Sequence, residues 1–138
     1  MAAVFQAAAA GARAEFPPAA DDSLTSSRTP WWRDAKFGMF IHWGIYAVPA
    51  RGEWIINNTH TPVAEYEKFA AQFNPVKFDA RQWAKVAKDA GMKFVVITTK
   101  HHDGFSMFHT DLTPYNVVSS TPWRHDPMKD LADTKTWS

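Results

Sequence analysis

Cysteine is absent from the 138 residues, which excludes disulfide scaffolds, thiolate metal sites and cysteine nucleophiles. An excess of charge is missing too. With 15 Lys and Arg against 14 Asp and Glu, the chain offers no field to draw phosphate backbones or anionic lipid, so neither nucleic acid nor a membrane surface is indicated as a partner. No uninterrupted apolar run approaches the ~20 residues that span a bilayer. The sequence also lacks a Gly-x-Gly-x-x-Gly motif, a Walker-type loop and a Gly-x-Ser-x-Gly elbow, and the nucleotide-binding and serine-hydrolase readings fall with them. Aromatic residues, in contrast, are plentiful: seven Trp, ten Phe and three Tyr can build a bulky core and still line a binding site. The length allows one domain at most, or a piece of a larger one.

Residues 1–30 are rich in Ala, Pro and Ser with no sustained apolar period, and read as a flexible leader or a degraded secretory one. From Trp31 the composition turns aromatic and apolar. The stretch Lys36 to Gly44 is short, nearly all apolar and closed by Gly, which predicts a strand buried on both faces. After a loop, Val63, Tyr66, Phe69, Ala70 and Phe73 recur at helical spacing, with Thr61 placed as N-cap and Pro62 at the first helical position. Asp79 is placed to cap a second helix, with Gln82 at the capping-box position, Trp83, Val86, Ala87 and Ala90 on one face, and Gly91 as terminator. Phe94 to Thr99 is a β-branched apolar run of the kind found in interior parallel strands. Asp126-Pro127 predicts an N-cap and a first-turn Pro, so that Met128 to Ala132 begin a third helix that the chain leaves unfinished.

Strand, helices, strand, loop and helix start form a βαβα order, which demands a parallel sheet covered by helices. Two parallel strands cannot satisfy their own edges. The pattern therefore predicts an α/β fold that is the amino-terminal portion of a (β/α)8 TIM-like barrel, incomplete in this chain, with residues 31–138 as its first part.

In a barrel, functional side chains gather at the carboxyl ends of the strands. His42 closes the first predicted strand and His101-His102 the second, with Trp43 and Asp103 beside them. A single such histidine reads as a satisfied core residue, whereas three at two strand ends of one sheet point to a shared polar pocket. Metal binding is one chemical alternative, but successive strand residues face opposite ways, so His101 and His102 converge only if the strand has already bent into a loop. Sugar recognition is another. Neutral imidazoles donate and accept as vicinal hydroxyls require, and Trp offers a flat apolar face; His42, His101, His102 and the pair Glu53-Trp54 supply that mixture. Glycoside hydrolysis needs two carboxylates. Glu53 and Asp103 are the candidates, but Asp103 before Gly104 reads as a turn residue, and no convincing pair assembles. His60, His109 and His125 lie in polar loops and read as solvated; Phe105, Phe108 and Trp123 read as core packing.

The strings Trp32-Arg33-Asp34-Ala35-Lys36-Phe37-Gly38-Met39-Phe40-Ile41-His42-Trp43-Gly44-Ile45-Tyr46-Ala47-Val48-Pro49-Ala50, Gly52-Glu53-Trp54, Phe73-Asn74-Pro75 and Thr98-Thr99-Lys100-His101-His102-Asp103-Gly104-Phe105 resemble the amino-terminal part of an α-L-fucosidase, from about Trp31 to Asp133. The resemblance implies a glycoside hydrolase barrel acting on α-linked L-fucose with retention of configuration, using no metal and no organic cofactor. Its partner would be a fucosylated glycan or glycoconjugate, in a secreted, periplasmic or lysosomal setting. It makes His42, His101 and His102 contacts to the fucose hydroxyls, with Glu53 and Trp54 reaching the same sugar. It places the nucleophile, an Asp, and the acid/base carboxylate beyond Ser138, so this chain is expected to be inactive alone. A non-catalytic sugar-binding fragment, or a metal-dependent hydrolase, is the alternative.

Overall fold

A computed structural model of the chain describes residues 30–134; the predicted leader, apart from Pro30, lies outside them. In chain order the elements are α1 (Pro30–Ala35), β1 (Met39–Ile41), a 3-10 turn (Ile45–Ala47), α2 (Ile55–Asn58), α3 (Val63–Tyr66) continuing as a 3-10 helix (Glu67–Gln72), α4 (Ala80–Asp89), β2 (Val95–Ile97), α5 (Val117–Ser120) and α6 (Pro127–Ala132). The strands pair in parallel with Met39 opposite Val95, Phe40 opposite Val96 and Ile41 opposite Ile97. Bonds from Lys93 N to the Phe37 carbonyl and from Thr98 N to the Ile41 carbonyl extend the ladder at each end.

The predicted burial of both strand faces is not observed. Met39 and Ile41 are half-buried and Phe40 is 54% exposed, while Val95, Val96 and Ile97 are all half-buried. Among the described residues each strand has only the other as sheet neighbour, so both outer edges lack a pairing strand, and the exposed Phe40 marks a face without a covering layer. The buried core is instead built from the segments that follow the strands: Ile45 and Ile55 after β1, Tyr66 and Phe73 from α3 and its 3-10 extension, Phe105 and Met107 after β2.

Helix starts follow the sequence closely, with one shift. Asp79 caps α4 by accepting from the amides of Arg81 and Gln82 at 2.9 and 3.0 Å. Asp126 caps α6 through the amides of Met128 and Lys129, with Pro127 at the first position. α3 begins one residue later than predicted, at Val63 with Pro62 in the cap position. The Thr61 hydroxyl donates instead to that of Thr59 at 2.6 Å, which in turn donates to the Ile55 carbonyl. Tyr66, Ala70 and Phe73 turn inward as predicted, whereas Val63 is exposed. The face assigned to α4 also needs correction. Ala80, Ala84 and Ala87 are buried and Trp83 half-buried, but Val86 and Ala90 are exposed. Val86 lies about 200° around the helix from Ala84, so both cannot face inward. Gly91, at φ +77, ends the helix as predicted.

Asn116 is fully buried, and its side chain does two jobs. Its oxygen caps α5 by accepting from the amides of Val118 and Ser119, while its NH2 donates to the carbonyls of Thr110 and Thr113. Every strong bonding position is thereby used, which makes the 110–119 segment rigid.

Asp126 has a similar double role, since its second oxygen accepts from His109 N at 2.9 Å. Asp126→Ala is expected to destabilise the chain by about 1–2 kcal/mol, more than Asp79→Ala, because it removes a loop anchor as well as a cap. Chemical-denaturation midpoints of the two variants check the order.

Candidate functional site

Parallel pairing with Ile41 opposite Ile97 makes the next residues, His42 and Thr98, leave the sheet side by side. The result is a 2.7 Å contact between His42 Nδ1 and the buried Thr98 hydroxyl. One 3-10 turn later the Tyr46 hydroxyl reaches the same Nδ1 at 3.1 Å. Gly44 allows that approach: a Cβ at this position would stand 2.7 Å from Cε1 of the Tyr46 ring.

His101 and His102 arrive by a different route. β2 ends at Ile97, and the chain then folds back so that Met107 N donates to the Thr99 carbonyl at 2.8 Å and Gly104 N to the His101 carbonyl at 3.1 Å. Gly104 adopts φ +78, a conformation that L side chains resist. The bend removes the strand alternation that would separate neighbouring side chains. Both imidazoles enter one cluster: His101 lies 5.0 Å from His42 and 4.6 Å from His102, ring centre to ring centre.

The loop after β1 closes the cluster. Trp54 stacks on His102 at 4.4 Å with ring planes 11° apart, and stands edge-on to His101 at 5.6 Å. Trp54 is nevertheless 49% exposed, so part of its ring faces solvent. His102 Nε2 lies 3.0 Å from the Glu53 backbone carbonyl. A carbonyl only accepts, so this nitrogen carries the proton. All five site residues inferred from the sequence, His42, Glu53, Trp54, His101 and His102, therefore meet in one place.

Other neighbours separate. Trp43 turns away from the histidines and packs among Phe73, Phe78, Trp83 and Trp123. Asp103 is a turn residue, with one carboxylate oxygen accepting from Phe105 N at 3.0 Å and the other from the Tyr66 hydroxyl at 2.9 Å. Each of its oxygens is thus tied to the scaffold. Phe105 is buried in the core, while His60, His109 and His125 are exposed. Among the described residues no three His, Asp or Glu side chains are grouped to hold a metal ion. An open cleft of about 520 Å³ lies between the start of α4 and α6, lined by Phe78, Arg81, Trp123, His125 and Asp130. It shares no residue with the histidine cluster, where hydrogen-bonding groups and an accessible aromatic face coincide, and we place the site at the cluster.

Polar roles for Thr98, Tyr46 and Tyr66 were not singled out from the sequence. Tyr46 lies four residues from His42, and only the turn at Ile45–Ala47 makes that spacing meaningful. Burial raises the pKa of the Tyr46 hydroxyl well above its ordinary value, partly offset by a hydrogen bond from Thr98, so it remains a protonated donor. His101 is pushed the other way, first by burial and then by the neighbouring His102 and His42, with Asp103 and Glu53 opposing. Its Nδ1 is buried with no hydrogen-bond partner among the described residues. A depressed imidazole value means that the folded state binds fewer protons than the unfolded one. The stabilisation that follows is complete above the ordinary imidazole value of about 6.5 and declines as pH falls below it. NMR titration of the His101 ring is expected to give a midpoint below about 6.5; a value at or above it contradicts this account of the cluster.

With this geometry in view, the chain can be compared with known proteins. A family model described as Alpha-L-fucosidase matches residues 3–136. Human plasma alpha-L-fucosidase is 34% identical over 128 residues, covering 80% of this chain and 27% of that protein. Mouse tissue alpha-L-fucosidase is 41% identical over 101 residues, covering 61% and 22%. Among solved structures, the alpha-L-fucosidase AlfC from Lactobacillus casei in complex with its alpha-L-fucose product superposes with a TM-score of 0.72 at 44% identity, covering 75% of this chain and 36% of that one. An alpha-L-fucosidase from Bacteroides thetaiotaomicron gives a TM-score of 0.72 at 40% identity, covering 75% and 26%. The chain thus spans about a quarter of the length of the curated relatives it matches. Matched along nearly its whole length, and folded over most of its described part as those structures are, the chain belongs to the alpha-L-fucosidase family.

Proposed function

We propose that this chain supplies the sugar-hydroxyl contacts of a glycosidase that removes terminal α-linked L-fucose from glycans and glycoconjugates. The observation that carries this reading is the convergence of His42, His101 and His102 beside a Trp54 ring that is half open to solvent. Vicinal hydroxyls need groups that both donate and accept at fixed positions, which neutral imidazoles provide. The less polar face of the sugar ring needs a flat apolar surface, which Trp54 offers. His102 has one nitrogen committed to the Glu53 carbonyl, and the other, without a partner among the described residues, is available to a hydroxyl.

In this reading residues 31–138 form the first part of a (β/α)8 catalytic barrel, and the two strands are neighbours in its parallel ring. Hydrolysis proceeds with retention: a carboxylate attacks the anomeric carbon while an acid protonates the leaving oxygen, and water then displaces the enzyme carboxylate with the acid now acting as base. Of the two carboxylates considered in this chain, Asp103 has both oxygens occupied by Phe105 N and Tyr66, and Glu53 is left without a paired partner. Following the family resemblance, we assign nucleophile and acid/base to residues outside these 138, and to His42, His101, His102, Glu53 and Trp54 the orientation of the fucose.

The test is to titrate L-fucose into the full chain by NMR and, separately, to assay release of nitrophenol from an α-L-fucoside. Saturable perturbation of the His42, His101 and Trp54 ring signals is expected, with D-glucose producing none. His42→Ala is expected to weaken binding about tenfold, the size of one or two lost hydrogen bonds. Robust nitrophenol release by this chain would show that the catalytic pair lies within it after all.

A further inference from the structure

Tyr66 lies 35 positions upstream of His101 in sequence and contributes nothing to the histidine cluster directly. Its ring is 1% exposed, set in the core by α3 and edge-on to Phe69. Its hydroxyl donates 2.9 Å to Asp103 Oδ2, while Asp103 Oδ1 takes the Phe105 amide at 3.0 Å. Asp103 thus forms the joint between a fixed point in the core and the turn that carries His101 and His102. The nearby Tyr115 hydroxyl is buried without a hydrogen-bond partner among the described residues, so it takes no share of this carboxylate.

We propose that Tyr66 is a positioning residue for the sugar site: its core-anchored hydroxyl holds the Asp103 carboxylate against the scaffold, and thereby sets where His101 and His102 stand. This rests on the reading of those histidines as fucose contacts. The chemistry favours a tyrosine in this role. Burial, followed by the Asp103 charge, raises the Tyr66 pKa far above its ordinary value, so the hydroxyl donates at every physiological pH. A hydrogen bond to an ionised carboxylate is stronger than one between neutral groups. Without it, Asp103 keeps its charge beside two imidazoles and can turn towards them. The titratable groups facing His101 are His102 from the same turn, His42 from the end of β1, Tyr46 from the 3-10 turn, Asp103, and Glu53 from the loop before α2. Those facing Asp103 are Tyr66, Tyr115, Tyr46 and His101. Of the two carboxylates facing His101, Asp103 is the one whose place Tyr66 fixes.

Tyr66→Phe keeps the ring in the core and deletes only the hydroxyl. Three quantities are read on the full chain: the titration midpoint of His101 by NMR without sugar, the affinity for L-fucose, and the thermal midpoint. The expected result is an upward move of the His101 midpoint and about tenfold weaker fucose binding, the size of one charge-assisted hydrogen bond. Asp103→Asn is expected to lower the His101 midpoint, because it removes a negative neighbour. In that background Tyr66→Phe is expected to add no further change, since the two residues act through one bond. An unchanged His101 midpoint in Tyr66→Phe overturns the proposal, even if thermal stability and affinity both fall, because that pattern describes a merely structural tyrosine. If Tyr66→Phe fails to fold, Asp103→Asn with a wild-type His101 midpoint and affinity overturns it equally. Absence of fucose binding by the parent chain removes the sugar reading instead; the sugar-free titration still decides whether Tyr66 positions the His101 imidazole.

Discussion

Ile41 opposite Ile97 is the pairing on which the site depends. Parallel strands in this register deliver the residue after β1 and the residue after β2 to the same edge, so that His42 meets Thr98 without any long-range adjustment. A slip of one residue would turn the side chains to opposite faces and break the contact. Tyr46, Trp54 and the 99–107 turn then build outward from that point. Two members of the polar cluster beside the hydrocarbon core are tied to their surroundings, His42 by Thr98 and Tyr46 and His102 by the Glu53 carbonyl, while the buried Nδ1 of His101 has no partner among the described residues.

The core's location follows from the same pairing. Two short strands cannot bury much surface between them, and Phe40 is left open on one face. The large apolar side chains that do become buried, Ile45, Tyr66, Phe105 and Met107, come from the connecting segments at the strand ends. The walls of the histidine cluster and the hydrophobic core are therefore adjacent. Tyr66 belongs to both, with its ring in one and its hydroxyl at the margin of the other.

Much of this was legible in the sequence. The Asp79 and Asp126 caps could be read because capping is local chemistry, decided within four residues. His42, His101 and His102 could be grouped because strand ends of one parallel sheet share an edge. The turn role of Asp103 was legible from Gly104. Burial was less so: the α4 face and the double-sided strands depend on which neighbours are present, and hydrophobic periodicity does not contain that information. The polar roles of Tyr46, Thr98 and Tyr66 were not legible, although Tyr66 was read as a core residue, because they are hydrogen bonds across 4, 56 and 37 positions, which no local pattern signals. Asn116 escaped for a related reason, as its cap reads locally but its two donated bonds depend on the fold of the loop before it.

The bond from His102 Nε2 to the Glu53 carbonyl joins segments 49 positions apart. With Trp54 lying flat on the His102 ring, those two loops form one mechanical piece. Surface loops ordinarily accept inserted residues at little cost. Here lengthening either loop pulls on its partner as well, so variation in the size of this rim has to enter elsewhere along the chain.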